Sequence, residues 1–254
     1  MTSLRQEPLP SYLDGVTGLP EALWVVGTFP PRLGVAIVGT RRSTSYGESA
    51  ARILAGAVAT AGWPVISGLA RGIDGVAHQA CVEIGEPGWG VLGSGLDIVY
   101  PRQNEGLARR LIEQGGGLIS EYEPGTPPAP FRFPARNRII AAFSAAVVVV
   151  EAAVTGGALI TARLGLELGR EVLAVPGDIN RAVSAGCNLL IRDGAHPVLG
   201  PEDLLDTLTF TLGPPPRAPA VPPKWSENVD TLLAQSDRPI GEALAALTRH
   251  ELGI

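Results

Sequence analysis

The chain has 254 residues, a formal net charge of −5 and 45% hydrophobic residues with few aromatics. That length supports a full core without disulfides or a structural metal, and the acidic balance excludes a protein that holds nucleic acid by bulk charge. Cys81 and Cys187 have no CxxC spacing, the three histidines have no metal-ligand spacing, and the longest apolar run, 139–150, is too short to span a bilayer. The expectation is a cytoplasmic protein with no signal peptide, membrane segment, metal or cofactor.

Residues 1–33 are rich in Pro, Gly and Leu. They read as an extended N-terminal arm, with a short helix near 19–23, a strand at Trp24-Val25-Val26 and a stop at Pro30-Pro31. From residue 34 onward short apolar runs alternate with helical patterns. Strands are expected at 34–38, 64–67, 89–92, 117–120, 146–150 and 171–175. Helices are expected at 46–61, 72–85, 104–114, 136–143 and 158–169. A further helix at 186–194, a short strand at 196–199 and a last helix at 201–208 follow. This alternation predicts an α/β fold with a doubly wound, mostly parallel sheet over 34–210. Residues 211–223 read as a Pro-rich linker, and 224–254 as two short helical patterns that cannot bury a core alone.

Ligands of such sheets sit at the carboxyl ends of the strands, so the residues after each strand carry the functional reading. The first strand ends in Gly39-Thr40-Arg41-Arg42-Ser43, just before a helix whose free amides and dipole favour an anion. Later strand ends bring Ser67-Gly68-Leu69-Ala70-Arg71-Gly72-Ile73-Asp74, Tyr100-Pro101-Arg102, Phe131 to Arg138, Glu151 with Thr155-Gly156-Gly157 and Thr161, and Pro176-Gly177-Asp178. No acid lies between Glu21 and Glu48 or between Glu123 and Glu151, yet each stretch holds arginines: Arg32, Arg41 and Arg42 in one, Arg132, Arg136 and Arg138 in the other. Arginine, hydroxyls, glycine amides and a few aromatics suit phosphates and stacked bases. A P-loop, a G-x-G-x-x-G turn after the first strand and a G-x-S-x-G elbow are all missing. Asp74 reads as a helix cap or dipole partner and His78 as a satisfied structural histidine, while Glu151 could bind a sugar hydroxyl or brace neighbouring amides. Two arginines opening a helix at 136–138 gain nothing from its dipole, which favours an anion there.

These motifs, in order, resemble the DNA-processing protein A family (DprA/Smf). The resemblance rests on Val38-Gly39-Thr40-Arg41 with Tyr46-Gly47, on Ser67 to Asp74 with His78, and on Tyr100-Pro101 and Ser120-Glu121-Tyr122. It continues through Phe133-Pro134 with Arg136-Asn137-Arg138, Val149-Val150-Glu151-Ala152, Leu159 to Ala162, Gly169-Arg170, Val175-Pro176-Gly177 and Gly186 to Ile191. It implies an extended Rossmann-like fold that binds single-stranded DNA, protects it and assists RecA loading in natural transformation, commonly as a homodimer. On that reading Gly39, Thr40, Arg41, Arg42, Ser67, Gly68, Arg71, Tyr100, Arg102, Phe133, Arg136, Asn137 and Arg138 contact DNA. Asp74, Glu151, Gly156 and Thr161 support the pocket, and no residue is catalytic. Against the family pattern, the segment before the Rossmann-like part is only an arm, and 224–254 resemble only the first helices of a winged-helix-like domain. Two other readings stand beside this one. One is a nucleotide-processing enzyme like the nucleoside-monophosphate phosphoribohydrolases, whose P-G-G-x-G-T-x-x-E run is missing. The other is a module whose main role is protein–protein contact.

Overall fold

In the computed structural model, which describes residues 3–217, one sheet of nine strands forms the body. The strands are β1 (Arg5–Pro8), β2 (Ala22–Gly27), β3 (Gly34–Val38), β4 (Val65–Ser67), β5 (Gly88–Val91), β6 (Gly117–Ser120), β7 (Ser144–Val149), β8 (Glu171–Ala174) and β9 (His196–Pro197). The helices are α1 (Ser45–Thr60), α2 (Ile73–Glu83), α3 (Glu105–Glu113), α4 (Arg132–Ala142), α5 (Gly157–Glu167), α6 (Ala185–Arg192) and α7 (Pro201–Leu212). The strand order is β1-β2-β6-β5-β4-β3-β7-β8-β9; β6 to β9 are parallel neighbours throughout, and β1 and β2 add an antiparallel edge.

Both faces are covered, which is why the central strands are apolar without alternation. β3 is buried at all five positions. Its Val35 and Ile37 enter a cluster with α1, α2 and α7. Its Ala36 and Val38 enter another with Ile139 and Ile140 of α4, Phe143 just after it, Ala158 and Ala162 of α5, and Cys187 of α6. Both cysteines are free and buried, as small core residues. Among the described residues no helix is long and apolar enough to cross a membrane.

Three expectations change. No helix forms near 19–23; Leu23 and Val25 are instead fully buried in β2, whose period-two burial pattern packs one face on the core while its edge pairs with β6. The N-terminal segment thus extends the sheet by two strands. α4 starts at Arg132, four residues earlier than expected, because Pro134 falls in the first turn, where its missing N–H costs no helical hydrogen bond. α7 runs to Leu212, into the stretch expected as linker, with the Thr209 and Thr211 hydroxyls donating to the Leu205 and Thr207 carbonyls and Leu212 packing on the α1 side. The rest of that linker beyond residue 217, and the helical patterns at 224–254, lie outside the described residues.

The connections define a switch point. From β3 the chain winds through α1 to β4 on one side; from β7 it winds through α5 to β8 on the other, and β3 and β7 are adjacent. The loops after these two strands therefore diverge and leave a crevice at their carboxyl ends.

Candidate nucleic-acid interface

That crevice is a cleft of roughly 610 Å³. One wall is Gly39 to Arg42, after β3. The opposite wall is Ala152, Ala153 and the start of α5, with Gly156, Gly157 and Thr161. The roof is one face of α4, with Phe133, Arg136, Asn137 and Ile140 at i, i+3, i+4 and i+7, joined by Tyr100.

Glu151 fixes the first wall. Its carbonyl accepts from the Thr40 amide at 2.7 Å. Its buried carboxylate accepts from the Thr44 amide at 2.9 Å and the Thr44 hydroxyl at 2.5 Å. The same hydroxyl accepts from the Gly47 amide at 3.3 Å, capping α1. The start of α1 thus already faces a carboxylate of the chain itself, so its amides are not the free anion site that the sequence suggested. Glu151 here braces the Thr44 amide and hydroxyl rather than facing the cleft. Thr40 is likewise a loop-shaping residue: its hydroxyl accepts from the Arg42 amide at 3.2 Å.

The free helix end lies across the cleft. α5 begins at Gly156 with no side-chain cap and no acid in its first turn. Its first residues, Gly156, Gly157 and Ala158, line the crevice beside Thr161, which is buried. Asn137 ties α4 to this end by donating to the Gly157 carbonyl at 3.2 Å.

Behind the cleft sits a buried polar layer. Arg136 is only 4% exposed, and it donates to the Gly68 carbonyl at 2.7 Å and to the Val91 carbonyl, the ends of β4 and β5. The Asp74 carboxylate accepts from the Gly68 amide at 3.1 Å. A Cβ on Gly68 would lie 2.2 Å from the Arg136 guanidinium and 2.5 Å from Asp74, so only glycine fits between them. Burial lowers the Arg136 pKa to about 10, against the opposing pull of Asp74, so it keeps its charge at neutral pH. Burial pushes Asp74 upward, opposed by Arg136, the Gly39 and Gly68 amides and Arg41. His78 completes the layer: its Nε2 lies 3.0 Å from the Trp89 carbonyl, and burial depresses its pKa to about 4. It is a neutral core histidine whose Nε2–H donates to that carbonyl.

The aromatic part is compact. The Arg41 guanidinium lies 4.6 Å from the centre of the Phe133 ring, and Phe133 lies 5.6 Å from Tyr100. Cation–π contact holds Arg41 at the mouth without tying it to a carboxylate. Among the described residues, Arg41 and Arg42 have no carboxylate partner.

The structure therefore gathers Gly39, Thr40, Arg41, Arg42, Tyr100, Phe133, Arg136, Asn137, Gly156 and Thr161 around one cleft, with Asp74 beneath. It places five others elsewhere. Ser67 is fully buried, its hydroxyl donating to the Ile37 carbonyl at 2.6 Å. Gly68 is the spacer between Arg136 and Asp74. Arg138 turns away from the α4 cleft face to pair with Glu121, and the exposed Arg102 lies 3.6 Å from Glu105. Arg71 points to a neighbouring groove. The sequence reading also passed over Asn104, whose Nδ2 donates to the Leu69 carbonyl at 2.9 Å and approaches that of Ala70 at 3.3 Å. It pins Leu69, a buried residue with φ of 52°, in a conformation unfavourable for a leucine. An Asn soon after a Tyr-Pro turn was the available signal.

Sheet order, switch point and cleft define an α/β protein of the Rossmann-like class with an arginine- and glycine-lined crevice at the strand ends. The model of the family "DNA recombination-mediator protein A" matches residues 1–209. The chain belongs to that family. It is 40% identical over 265 residues to Protein Smf of Escherichia coli K12, an alignment covering 96% of this chain and 71% of that protein. It is also 41% identical to DNA processing protein DprA of Streptococcus pneumoniae R6, covering 69% of this chain and 62% of that one. Most of the curated relatives it matches are covered over less than two thirds of their length. Its structure is similar to that of DNA processing protein A from Streptococcus pneumoniae, with a TM-score of 0.74 at 35% identity over 80% of this chain and 74% of the other. A TM-score of 0.72 at 29% identity, over 82% of this chain and 95% of the other, relates it to DNA processing protein A from Helicobacter pylori, a structure concerned with that protein's single-stranded DNA binding mode.

Proposed function

We propose that this chain binds single-stranded DNA with little sequence preference, through phosphates held in the switch-point cleft, and that it protects the strand and assists RecA loading as a cytoplasmic homodimer. The observation that carries the binding reading is the pairing across the cleft of Arg41 and Arg42, which have no carboxylate partner among the described residues, with the uncapped start of α5. A phosphate between them meets guanidinium donors on one side and helix amides on the other. The Phe133 and Tyr100 rings beside it offer faces on which any base can stack. Phosphate contacts and stacking carry little sequence information, which accounts for the weak preference. The single-stranded DNA binding mode described for the Helicobacter pylori relative supports the choice of ligand. Family membership supports the roles in protection and RecA loading.

The reading is of a binding protein rather than an enzyme. Asp74 is the one carboxylate among the cleft-lining residues, and it is engaged by the Gly68 amide beside Arg136.

Fluorescence anisotropy with an unstructured oligonucleotide at fixed salt tests the proposal. Binding is expected to weaken steeply as salt rises, because the neutralised phosphates release counterions. Arg41→Ala is expected to weaken it further. A flat salt response, or an Arg41→Ala protein that binds like the wild type, overturns the proposal. Release of free base from nucleoside monophosphates would overturn the non-enzymatic part.

A further inference from the structure

Beside the cleft lies a second depression, of roughly 730 Å³, between α2 and α3. The two share Ala70 in their walls. The ridge between them is formed by close contact of two loops: a Cβ on Gly72 would lie 2.3 Å from the Thr40 carbonyl and 3.0 Å from Arg41 backbone atoms. Arg71 and Gly72 face the groove on one side of that ridge, and Arg41 and Arg42 face the cleft on the other.

The groove is lined by side chains that could hold an anionic polymer. Arg71, Arg109 and Arg110 reach into it, with the amides Gln79, Gln103 and Asn104. Among the described residues none of these arginines pairs with a carboxylate. Arg110 donates to the Gln79 side-chain oxygen at 2.8 Å, which orients its guanidinium without neutralising it. Glu48 and Glu113 also line the groove, and Glu48 is engaged by the Ser43 hydroxyl at 2.7 Å. No side chain rises from Gly72, Gly75 or Gly106, and nothing stands within 4 Å of where a Cβ on Gly106 would be. Among the described residues no aromatic lines this depression, unlike the cleft. Its chemistry suits a sugar–phosphate backbone passing over it rather than a base docking into it.

We infer that the α2–α3 groove is a second phosphate-binding stretch for the same strand, which leaves the cleft over the Ala70–Gly72 ridge and runs along Arg109 and Arg110. This inference rests on the proposed function of the cleft. It makes the footprint longer than the cleft alone and adds affinity only for strands long enough to cross the ridge.

Oligothymidylates of about 5 and about 15 nucleotides, spanning the range of single-strand site sizes, separate the two parts. The Arg109→Ala/Arg110→Ala double variant is expected to bind the longer strand about tenfold more weakly. The slope of its log affinity against log salt is expected to fall by about 1.4, at about 0.7 per lost phosphate contact. Its affinity for the short strand stays at the wild-type value. Arg109→Lys/Arg110→Lys, which keeps the charges, is expected to restore most of the long-strand affinity. Both arginines are solvent-exposed on α3, so the substitutions leave the core untouched. Should the double alanine variant fail to fold, Gly106→Leu fills the groove with all charges kept, and it too is expected to weaken only the longer strand. Wild-type affinity and salt slope for the longer strand, while Arg41→Ala still weakens both lengths, overturn the groove and leave the cleft reading standing. The groove would then belong to another occupant, such as an acidic protein. Arg41→Ala without effect on either length overturns the cleft reading and this extension with it.

Discussion

Glu151 grips Thr44 at two points, its Oε2 accepting from the amide at 2.9 Å and its Oε1 from the hydroxyl at 2.5 Å. This contact ties the end of β7 to the start of α1 across the switch point, and Gly47 makes room for it. A Cβ on Gly47 would lie 2.2 Å from Oε2. Gly47→Ala is therefore expected to push the carboxylate off Thr44 and to cost about 1–3 kcal/mol, the price of a buried charged group losing its donors, despite alanine's better helix propensity. Urea unfolding of the two proteins checks this; a more stable alanine variant contradicts the brace.

Arg41 lies over Phe133 with no carboxylate partner among the described residues, so it reaches a phosphate without first breaking an ion pair there. Arg41→Ala is expected to weaken single-stranded DNA binding by about 1–3 kcal/mol, the range of a charge-assisted contact. Arg41→Lys should fall between the two, because it keeps the charge and loses the planar stack and fork. Equal affinities for all three proteins at low salt would remove Arg41 from the interface.

Phe133→Ala removes the ring that touches both Arg41 and Tyr100. A loss of about 1–3 kcal/mol in binding is expected, with Phe133→Trp close to wild type, since stacking needs a π-face and not a particular ring. Anisotropy titrations at one salt concentration compare the three. A tryptophan variant as weak as the alanine one would argue for shape rather than stacking.

The Asp74–Arg136 layer is predicted to be strongly coupled. Asp74 and Arg136 are both buried and hold the two backbone groups of Gly68, so Asp74→Asn and Arg136→Met are each expected to destabilise by about 1–3 kcal/mol, the cost of leaving buried polar groups unsatisfied. The double variant should cost much less than their sum. Thermal or urea unfolding of the four proteins forms the cycle, and additive losses would show that the two side chains act independently.

His78 supplies a pH signature. Its folded pKa, about 4, lies below its ordinary 6.5, so the unfolded chain binds the proton first as pH falls. Its contribution is complete above pH 6.5 and is lost progressively on descending toward pH 4, up to about 3 kcal/mol. His78→Gln should therefore show a shallower fall in stability across that window than the wild type. Parallel slopes in urea midpoints from pH 6.5 to 4.5 would contradict a neutral buried imidazole.

Much of this was legible in the chain itself. Alternating apolar runs and helical patterns define the parallel strands to within two residues, because buried strands must be apolar and helices must repeat every 3.6 residues. Glycine turns mark the strand ends, and the motifs in order point to the family that the match over 1–209 then establishes. The N-terminal strands were harder to read. β2 is a half-buried strand paired antiparallel to β6, and a partner almost a hundred residues away leaves little local trace.

The direction each arginine takes was the tertiary structure's decision. Arg136, Arg138 and Arg41 look alike in sequence. Arg136 is drawn inward because the Gly68 and Val91 carbonyls, the ends of two neighbouring strands, converge on its helix face. Arg138, two residues on, falls on another face and meets Glu121. Arg41 stays at the mouth because α4 begins early enough to bring Phe133 beneath it. Likewise the amides opening α1 looked free in sequence, and only the adjacency of β3 and β7 brings Glu151 onto them and leaves the start of α5 as the open helix end. Composition and periodicity determine which groups are available at the sheet edge. Which of them remain unspent depends on contacts between residues distant in the chain, such as Thr44 and Glu151, 107 positions apart, which only the folded chain makes.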